Sequence, residues 1–135
     1  MPTSIGLSHV AMSVPEGTLT GEYRAKLLDF YGRMLGWSEI ESLRRDDRLT
    51  IAVGSAAYVN VREQPESMVS HGYEHLGVIL PSAAALRQLW AELDAEPLHE
   101  ELEELSTNRD GEGSFRFRYL LPLAVEAQYF AQLVR

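Results

Sequence analysis

Two stretches of the sequence decide the fold: "GLSHVAMSVP" at residues 6–15 and "GYEHLGVILP" at residues 72–81. Each begins with glycine, ends with proline and carries a histidine at the same place, His9 in one and His75 in the other. The offset is 66 residues (75 − 9 = 66), close to half of the 135-residue chain. A repeat of this length predicts two copies of one structural module.

Both stretches have the two-residue periodicity of a β-strand. In each, the residues one, three and five positions after the histidine are apolar, so the apolar face lies opposite the histidine. A covering helix packs against the apolar face of such a strand. His9 and His75 are therefore predicted to point away from that helix.

An amphipathic helix is predicted after each strand, because apolar residues recur there at intervals of three and four. The stripes are Leu27, Phe30, Tyr31, Met34 and Leu35 in the first copy, and Leu86, Leu89, Trp90 and Leu93 in the second. Gly36 falls where the first helix is expected to end. The helices are offset by 59 residues (86 − 27 = 59), so the first copy carries about seven extra residues before its helix.

The 66-residue offset returns in the strands after the helices. The matched pairs are "RLTIAV" (48–53) with "SFRFRY" (114–119), and "AYVNV" (57–61) with "LAVEA" (123–127). A short segment before each pair, "SEIESL" (38–43) or "PLHEEL" (97–102), is predicted as a further, weakly strand-like element. Each copy therefore has the order β-α-β-β-β.

The sequence predicts an α+β fold, with one domain over residues 1–135 built from two tandem βαβββ modules at about 4–65 and 71–134. Two amphipathic strands can be alike by chance, but chance does not explain a register kept across three strands. One module has an open, curved, mixed sheet that cannot cover both of its own faces. Two modules packed about a pseudo-two-fold axis would enclose a shared cleft.

Composition excludes several classes of function. The hydrophobic fraction of 45% and charged fraction of 24% are those of a soluble globular protein. The net charge of −8 argues against binding to nucleic acid or to an anionic membrane, both of which need clustered positive charge. Cysteine is absent, which excludes disulfides and thiolate ligands. No membrane span or signal-peptide pattern is present, so a cytoplasmic protein is expected.

Four positions are predicted to meet in the cleft: His9 and His75 on the first strands, and Asn60 and Glu126 on the last. Two neutral imidazoles and a carboxylate suit Fe(II), Mn(II), Zn(II) or Ni(II) and leave coordination positions open for a substrate. Small residues on the same face, such as Gly77, leave room for it. The alternative is that each histidine is structural and no metal is bound.

These patterns resemble the vicinal oxygen chelate superfamily, which contains glyoxalase I, extradiol dioxygenases, and the fosfomycin- and bleomycin-resistance proteins. The resemblance covers essentially the whole chain and is carried by "LSHVAMSV" (7–14), "LLDFYGRMLGW" (27–37), "YEHLGVIL" (73–80) and "VEAQYF" (125–130). It implies His9, His75 and Glu126 as metal ligands, with Asn60 where some members carry a fourth. This is the three-ligand pattern of the dioxygenase and fosfomycin-resistance branches.

The last hairpin departs from the superfamily. In "YLLPLAVEA" (119–127) the common Asp-Pro-Asp-Gly-Asn type of turn is absent, and Pro122 precedes Glu126 by only four residues. If strand alternation holds, Arg116 and Arg118 share a face with Glu126. Either arginine would pair with Glu126 in a metal-free cleft, or would bind an anionic group of a substrate beside the metal. Both alternatives stay open from the sequence.

Further site residues are predicted from the same alternation. Tyr58 is a candidate general acid or hydrogen-bond donor to a ligand, with a plain lining role as the alternative, and Arg118 is the second candidate catalytic residue. The predicted substrate contacts are Arg116, Arg118, Asn60 and Gln128.

Two histidines fall outside the repeat and are assigned no role. His71 lies between the modules and is expected to be exposed. His99 begins "HEELEELSTNRDGEGS" (99–114), an acidic stretch predicted as a solvated strand end and loop, with a lid over the cleft as the alternative.

The resemblance implies a small metal-dependent enzyme, a lyase, isomerase or extradiol-type dioxygenase, that chelates two vicinal oxygens of a small-molecule substrate. The alternative is a metal-free, bleomycin-resistance-like protein that sequesters a cationic ligand. A third is a small-molecule sensor that keeps the fold without the chemistry. A homodimer is expected in each case. The superfamily supports several reactions on one scaffold, so the fold alone does not select among them.

Overall fold

The computed structural model describes residues 3–98 and 101–134. The chain divides into two compact units, Met1–Val69 and Ser70–Arg135. Each unit contains one α-helix and one four-stranded mixed sheet in the order β-α-β-β-β. The predicted α+β class with two tandem βαβββ modules is therefore confirmed. In the described residues no helix is long and apolar enough to cross a membrane.

The first unit forms its sheet in the order β1-β4-β3-β2. Its elements are β1 (His9–Pro15), α1 (Gly21–Leu35), β2 (Ser38–Glu39), a 3₁₀ turn (Glu41–Leu43), β3 (Arg48–Val53) and β4 (Ala57–Gln64). Strand β1 is parallel to β4, and the other pairs are antiparallel.

The second unit forms its sheet in the order β5-β8-β7-β6, with β5 parallel to β8. Its elements are β5 (His75–Ile79), α2 (Ala83–Asp94), β6 (Ser106–Thr107), β7 (Gly113–Phe117), β8 (Ala124–Tyr129) and a 3₁₀ turn (Ala131–Leu133).

The two helices begin and end where side-chain and backbone caps are available. The Thr20 hydroxyl accepts a hydrogen bond from the Tyr23 amide at the start of α1, and the Ser82 hydroxyl accepts one from the Ala85 amide at the start of α2. Gly36 ends α1 in the left-handed region at φ 71°, as predicted. The buried helix residues are Leu27, Phe30, Tyr31, Leu86, Leu89 and Leu93, all from the predicted stripes.

The repeat is preserved in the pairing of the strands. Asn60 on β4 lies opposite Thr50 on β3, and Glu126 on β8 lies opposite Arg116 on β7. The second pair is the first pair shifted by 66 residues (126 − 60 = 116 − 50 = 66). A slip of one residue would move every side chain to the other face, so the common register puts equivalent residues on equivalent faces. The cores lie on the helix-covered faces, as in β1, where Met12 is 4% exposed.

The predicted strand "PLHEEL" (97–102) is confirmed only at its end, where Leu102 forms an isolated antiparallel bridge with Phe117. His99 and Glu100 lie outside the described residues. The outer strand of the sheet is β6, and it approaches β7 at Gly113. A Cβ at Gly113 would lie 1.9 Å from the Ser106 carbonyl oxygen, so this pairing requires glycine.

Strand β7 ends at Phe117, two residues before the end of the predicted "SFRFRY" segment (114–119). The Arg118 amide donates to the Glu101 carbonyl at 3.0 Å rather than to β8. The chain then turns through Leu120, which has a positive φ of 58°, and enters β8 at Ala124. The loop between the strands therefore departs from the path of the first copy.

Candidate functional site

One face of the second sheet carries the candidate site. Glu126 on β8 is paired with Gly77 on β5 and with Arg116 on β7, and His75 lies two residues before Gly77. Paired residues on neighbouring strands share a face, as do residues two apart on one strand. A Cβ at Gly77 would meet nothing within 4 Å, so the space beside the site is open.

His75 and Glu126 are in direct contact through their side chains. Nε2 of His75 lies 3.2 Å from Oε2 of Glu126, and both side chains are more than three-quarters buried, at 23% and 21% exposed. On its other side, Nδ1 of His75 lies 2.6 Å from the Tyr73 carbonyl oxygen. A carbonyl oxygen can only accept a hydrogen bond, so Nδ1 carries the proton and, in the neutral ring, Nε2 carries a lone pair.

This arrangement fits a divalent metal ion. In the neutral imidazole, two acceptor atoms face each other, and only a proton on Nε2 or a cation between them makes the contact favourable. A nitrogen and an oxygen bound to one metal at 2.0–2.2 Å lie about 3 Å apart when the bonds are near perpendicular. A backbone carbonyl that holds the other ring nitrogen is also the usual support for a metal-bound histidine.

Arg116 provides a fixed positive charge beside the same carboxylate. Its Nε lies 3.7 Å from Oε2 of Glu126 and 3.2 Å from Oε1 of Glu103. Its backbone amide donates to the same Glu103 oxygen at 2.8 Å, and Nη1 donates to the Gly72 carbonyl at 3.3 Å. The guanidinium also lies over the Tyr73 ring, 6.0 Å from its centroid. Of the two arginines considered from the sequence, Arg116 is the one that contacts Glu126.

Arg118 is held by the loop between β7 and β8. Its Nη1 donates to the Pro122 carbonyl at 2.6 Å and to the Ser70 hydroxyl at 3.2 Å. Its Nε lies 3.9 Å from a Glu101 carboxylate oxygen. These contacts position Arg118 at one side of a cavity of about 200 Å³. The cavity is lined by Gly72, Glu101, Leu102, Glu103, Arg116, Phe117, Arg118 and Ala124.

Gln128, the other predicted substrate contact in this unit, lies on β8 two residues after Glu126. It is paired with Ile79 and Ser114, and its carbonyl accepts a hydrogen bond from the Leu80 amide at 2.7 Å. Its side chain shares the face of Glu126 and is half-buried.

The equivalent face of the first unit has different chemistry. His9 stacks on Tyr58, with the rings 4.6 Å apart and 5° from parallel, and its Nδ1 lies 2.6 Å from the Ser8 hydroxyl. Asn60, the counterpart of Glu126, accepts a weak hydrogen bond from the buried Thr50 hydroxyl at 3.3 Å. The predicted residues of this unit are thus on one face, but Asn60 brings no charge.

Over the described ranges 3–98 and 101–134, no group of three or more His, Asp or Glu side chains converges closely enough to hold a metal. The structure brings together His75, Glu126 and Arg116, all named from the sequence, and adds Glu103 and Tyr73. Glu103 and the Tyr73 carbonyl were missed by sequence reasoning. Glu103 lies in an acidic stretch without periodicity, and no residue type marks a carbonyl that will hold a histidine.

Comparison with solved structures identifies the fold. A fosfomycin resistance protein, FosX, from Listeria monocytogenes superposes with a TM-score of 0.68 at 18% identity, over 96% of this chain and 94% of that one. A second structure of that protein is complexed with Mn(II) and sulfate. This chain has the fold of the vicinal oxygen chelate superfamily. The resemblance stated from the sequence is therefore confirmed at the level of the fold.

Two further structures have the same fold. Lactoylglutathione lyase from Agrobacterium tumefaciens matches at 15% identity with a TM-score of 0.66, over 98% of each chain. A glyoxalase/bleomycin resistance protein from Albidiferax ferrireducens matches at 17% identity with a TM-score of 0.63, over 92% of this chain and 98% of that one. No protein-family model and no curated protein matches the sequence.

Proposed function

We propose that this protein is a metal-dependent enzyme of the vicinal oxygen chelate superfamily, with His75 and Glu126 as two of its metal ligands. The observation that carries the proposal is the contact between two acceptor atoms, Nε2 of His75 and Oε2 of Glu126, 3.2 Å apart. The hydrogen bond from Nδ1 to the Tyr73 carbonyl makes Nε2 the free coordinating nitrogen.

The proposed third ligand is His9, because it is the repeat counterpart of His75. The candidate metals are Fe(II), Mn(II), Ni(II) and Zn(II), and Mn(II) has the support of the FosX structure that contains it. A divalent ion bound there would act as a Lewis acid on a substrate with two vicinal oxygens. The proposed reaction is one of three classes: that of a lyase, an isomerase or a dioxygenase.

The proposed substrate contacts follow from the charges around the site. Arg116 and Arg118 border one cavity of about 200 Å³, where either guanidinium can bind an anionic group of the substrate. Gln128 on the same face is a proposed hydrogen-bonding contact. In the first unit, Tyr58 is the proposed general acid and Asn60 a polar contact.

Metal content of the purified protein tests this proposal. The protein is prepared without a metal-binding tag, loaded anaerobically with Fe(II), Mn(II), Ni(II) or Zn(II), desalted and analysed by mass spectrometry. We expect about one metal per chain, lost in His75→Ala and Glu126→Gln and weakened in His9→Ala. His71→Ala is the matched control, because His71 is exposed. Equal metal content in His71→Ala and His75→Ala would contradict the proposal.

A second candidate function is a metal-free ligand-binding protein like the bleomycin-resistance proteins. The 3.7 Å contact between Arg116 and Glu126 favours it, because that pair neutralises the carboxylate without a metal. The 80% exposed Tyr73 and the net charge of −8 suit a cationic, aromatic ligand. Absence of metal binding, together with stabilisation of the protein by such a ligand, would support this function in place of the first.

We also propose a homodimer. Exposed apolar residues border a cavity of about 340 Å³ at the end of β5, among them Ile79 and Leu133 at 48% and 50% exposed. Light scattering during size-exclusion chromatography should give twice the 15.2 kDa mass of the chain. A monomer at micromolar concentration would contradict this part of the proposal.

A further inference from the structure

A cluster of arginines in the first unit has no role in the site described above. A cavity of about 200 Å³ is lined by Arg45, Asp47, Arg48 and Arg62. Arg48 on β3 lies directly opposite Arg62 on β4. Like charges directly opposite each other on neighbouring strands destabilise a sheet, so this pair needs negative charge nearby.

The first unit compensates these charges only in part. Oδ2 of Asp47 lies 3.7 Å from Nε of Arg62. Nη2 of Arg48 is 3.5 Å from the Leu43 carbonyl, which is a long contact. Nε of Arg48 is buried and, among the described residues, has no hydrogen-bond partner. The Arg48 guanidinium therefore lacks a compensating acceptor at Nε, which leaves its charge only partly offset within the unit.

The turn that carries part of this cluster is held in place from the helix. Arg24 on α1 donates to the carbonyls of Arg45, Asp46 and Arg48 at 2.7, 3.0 and 3.2 Å. The backbone at the mouth of the cavity is therefore fixed before any ligand arrives. A fixed arrangement of donors binds with a smaller entropic cost than a flexible one.

The second unit shows that the fold does not require these arginines. The repeat counterparts of Arg48 and Arg62 are Ser114 and Gln128 (114 − 48 = 66), and they are paired with each other in the same register. Both units form the same sheet, yet only the first places two guanidinium groups at this pair of positions.

We propose that this cavity binds a doubly charged oxyanion, namely the phosphate group of a small ligand. Three arginines and one aspartate leave an excess of two positive charges at the cavity. Arginine's planar fork of donors matches phosphate oxygens in pairs. A volume of about 200 Å³ is several times the ~30 Å³ share of one water, which leaves room for the group and part of its carrier. The inference stands independently of metal binding at His75.

Isothermal titration with inorganic phosphate and with methyl phosphate tests this site, and acetate serves as the singly charged comparison. Both phosphates are expected to bind saturably, with affinity reduced about tenfold in Arg62→Gln and in Arg45→Gln, since each removes a charge-assisted hydrogen bond. Arg33→Gln is the matched control: it removes the same charge from an exposed position on α1, where Arg33 pairs with Asp29 at 3.0 Å.

The net charge of −8 repels anions from the surface as a whole, so saturable binding reports a local site. Equal binding of both phosphates indicates recognition of the group alone, and tighter binding of methyl phosphate indicates an ester ligand; both support the site. No saturable binding, an equal loss in Arg33→Gln, or acetate binding as tight as phosphate would overturn it. Arg62 is 58% exposed, and circular dichroism of the variants verifies folding.

Discussion

Arg116 and Glu126 face each other across β7 and β8, with Nε of the arginine 3.7 Å from Oε2 of the carboxylate. The same carboxylate oxygen lies 3.2 Å from Nε2 of His75. One oxygen is thus shared between a permanent cation and an imidazole nitrogen. A metal bound to that oxygen would experience the repulsion of the arginine, and the strength of this repulsion can be measured.

Arg116→Gln is expected to raise Zn(II) affinity about tenfold. A unit charge and a doubly charged ion about 6 Å apart in water interact by about 1.4 kcal/mol, which corresponds to a factor of ten. Isothermal titration measures the change, and Arg87→Gln on α2 controls for the loss of one positive charge. A variant that loses stability without gaining metal affinity would show that Arg116 serves only as the ion-pair partner of Glu126.

Gly113→Ala is expected to lower the free energy of unfolding by about 1–3 kcal/mol, the upper part of the range for destabilising substitutions. The added Cβ would lie 1.9 Å from the Ser106 carbonyl oxygen, and so would push β6 away from β7. Gly77→Ala is the control, because its Cβ would meet nothing within 4 Å. Urea denaturation measures both variants, and an equal effect would refute the steric argument.

Glu112 makes the stability of the second unit depend on pH in the acidic range. The Ala131 amide donates to Oε2 at 2.9 Å and the Asn108 side chain to Oε1 at 3.3 Å, and these bonds lower the pKa of the Glu112 carboxyl from 4.5. Since the folded-state pKa of Glu112 is lowered, the stabilisation that its ionised carboxylate gives the folded protein is complete above pH 4.5. This stabilisation is lost as the pH falls through the folded-state pKa.

Glu112→Gln should therefore lose less stability than the wild type between pH 7 and pH 3. Chemical denaturation at several pH values measures this difference, with Glu104→Gln as a control for the loss of one negative charge. Parallel pH profiles for Glu112→Gln and the wild type would contradict the assignment.

The repeat made most of the fold predictable. The constant 66-residue offset identified equivalent strands, and strand periodicity identified the face of each histidine, because both signals depend only on residue spacing. The segments that the sequence misplaced are those without a period. Strand β6 at Ser106–Thr107 depends on the close approach of the chain at Gly113, which no hydropathy pattern encodes.

The candidate site was predictable only in part, for a similar reason. Strand alternation in the sequence is sufficient to place His75, Glu126 and Arg116 on one face. The Glu103 carboxylate that holds Arg116, and the Pro122 carbonyl that holds Arg118, come from loops. Loop conformation follows from backbone hydrogen bonds and tertiary contacts, so sequence spacing does not reveal these partners.

The most direct test of the account is a ¹⁵N NMR measurement of the His75 imidazole at pH 8, with and without Zn(II). His75→Ala assigns its signals. We predict that Nδ1 carries the proton, because it donates to the Tyr73 carbonyl, and that the Nε2 signal moves when Zn(II) is added. If both nitrogens carry protons and neither signal responds to Zn(II), His75 and Glu126 form a simple ion pair. That result would contradict the proposed metal site.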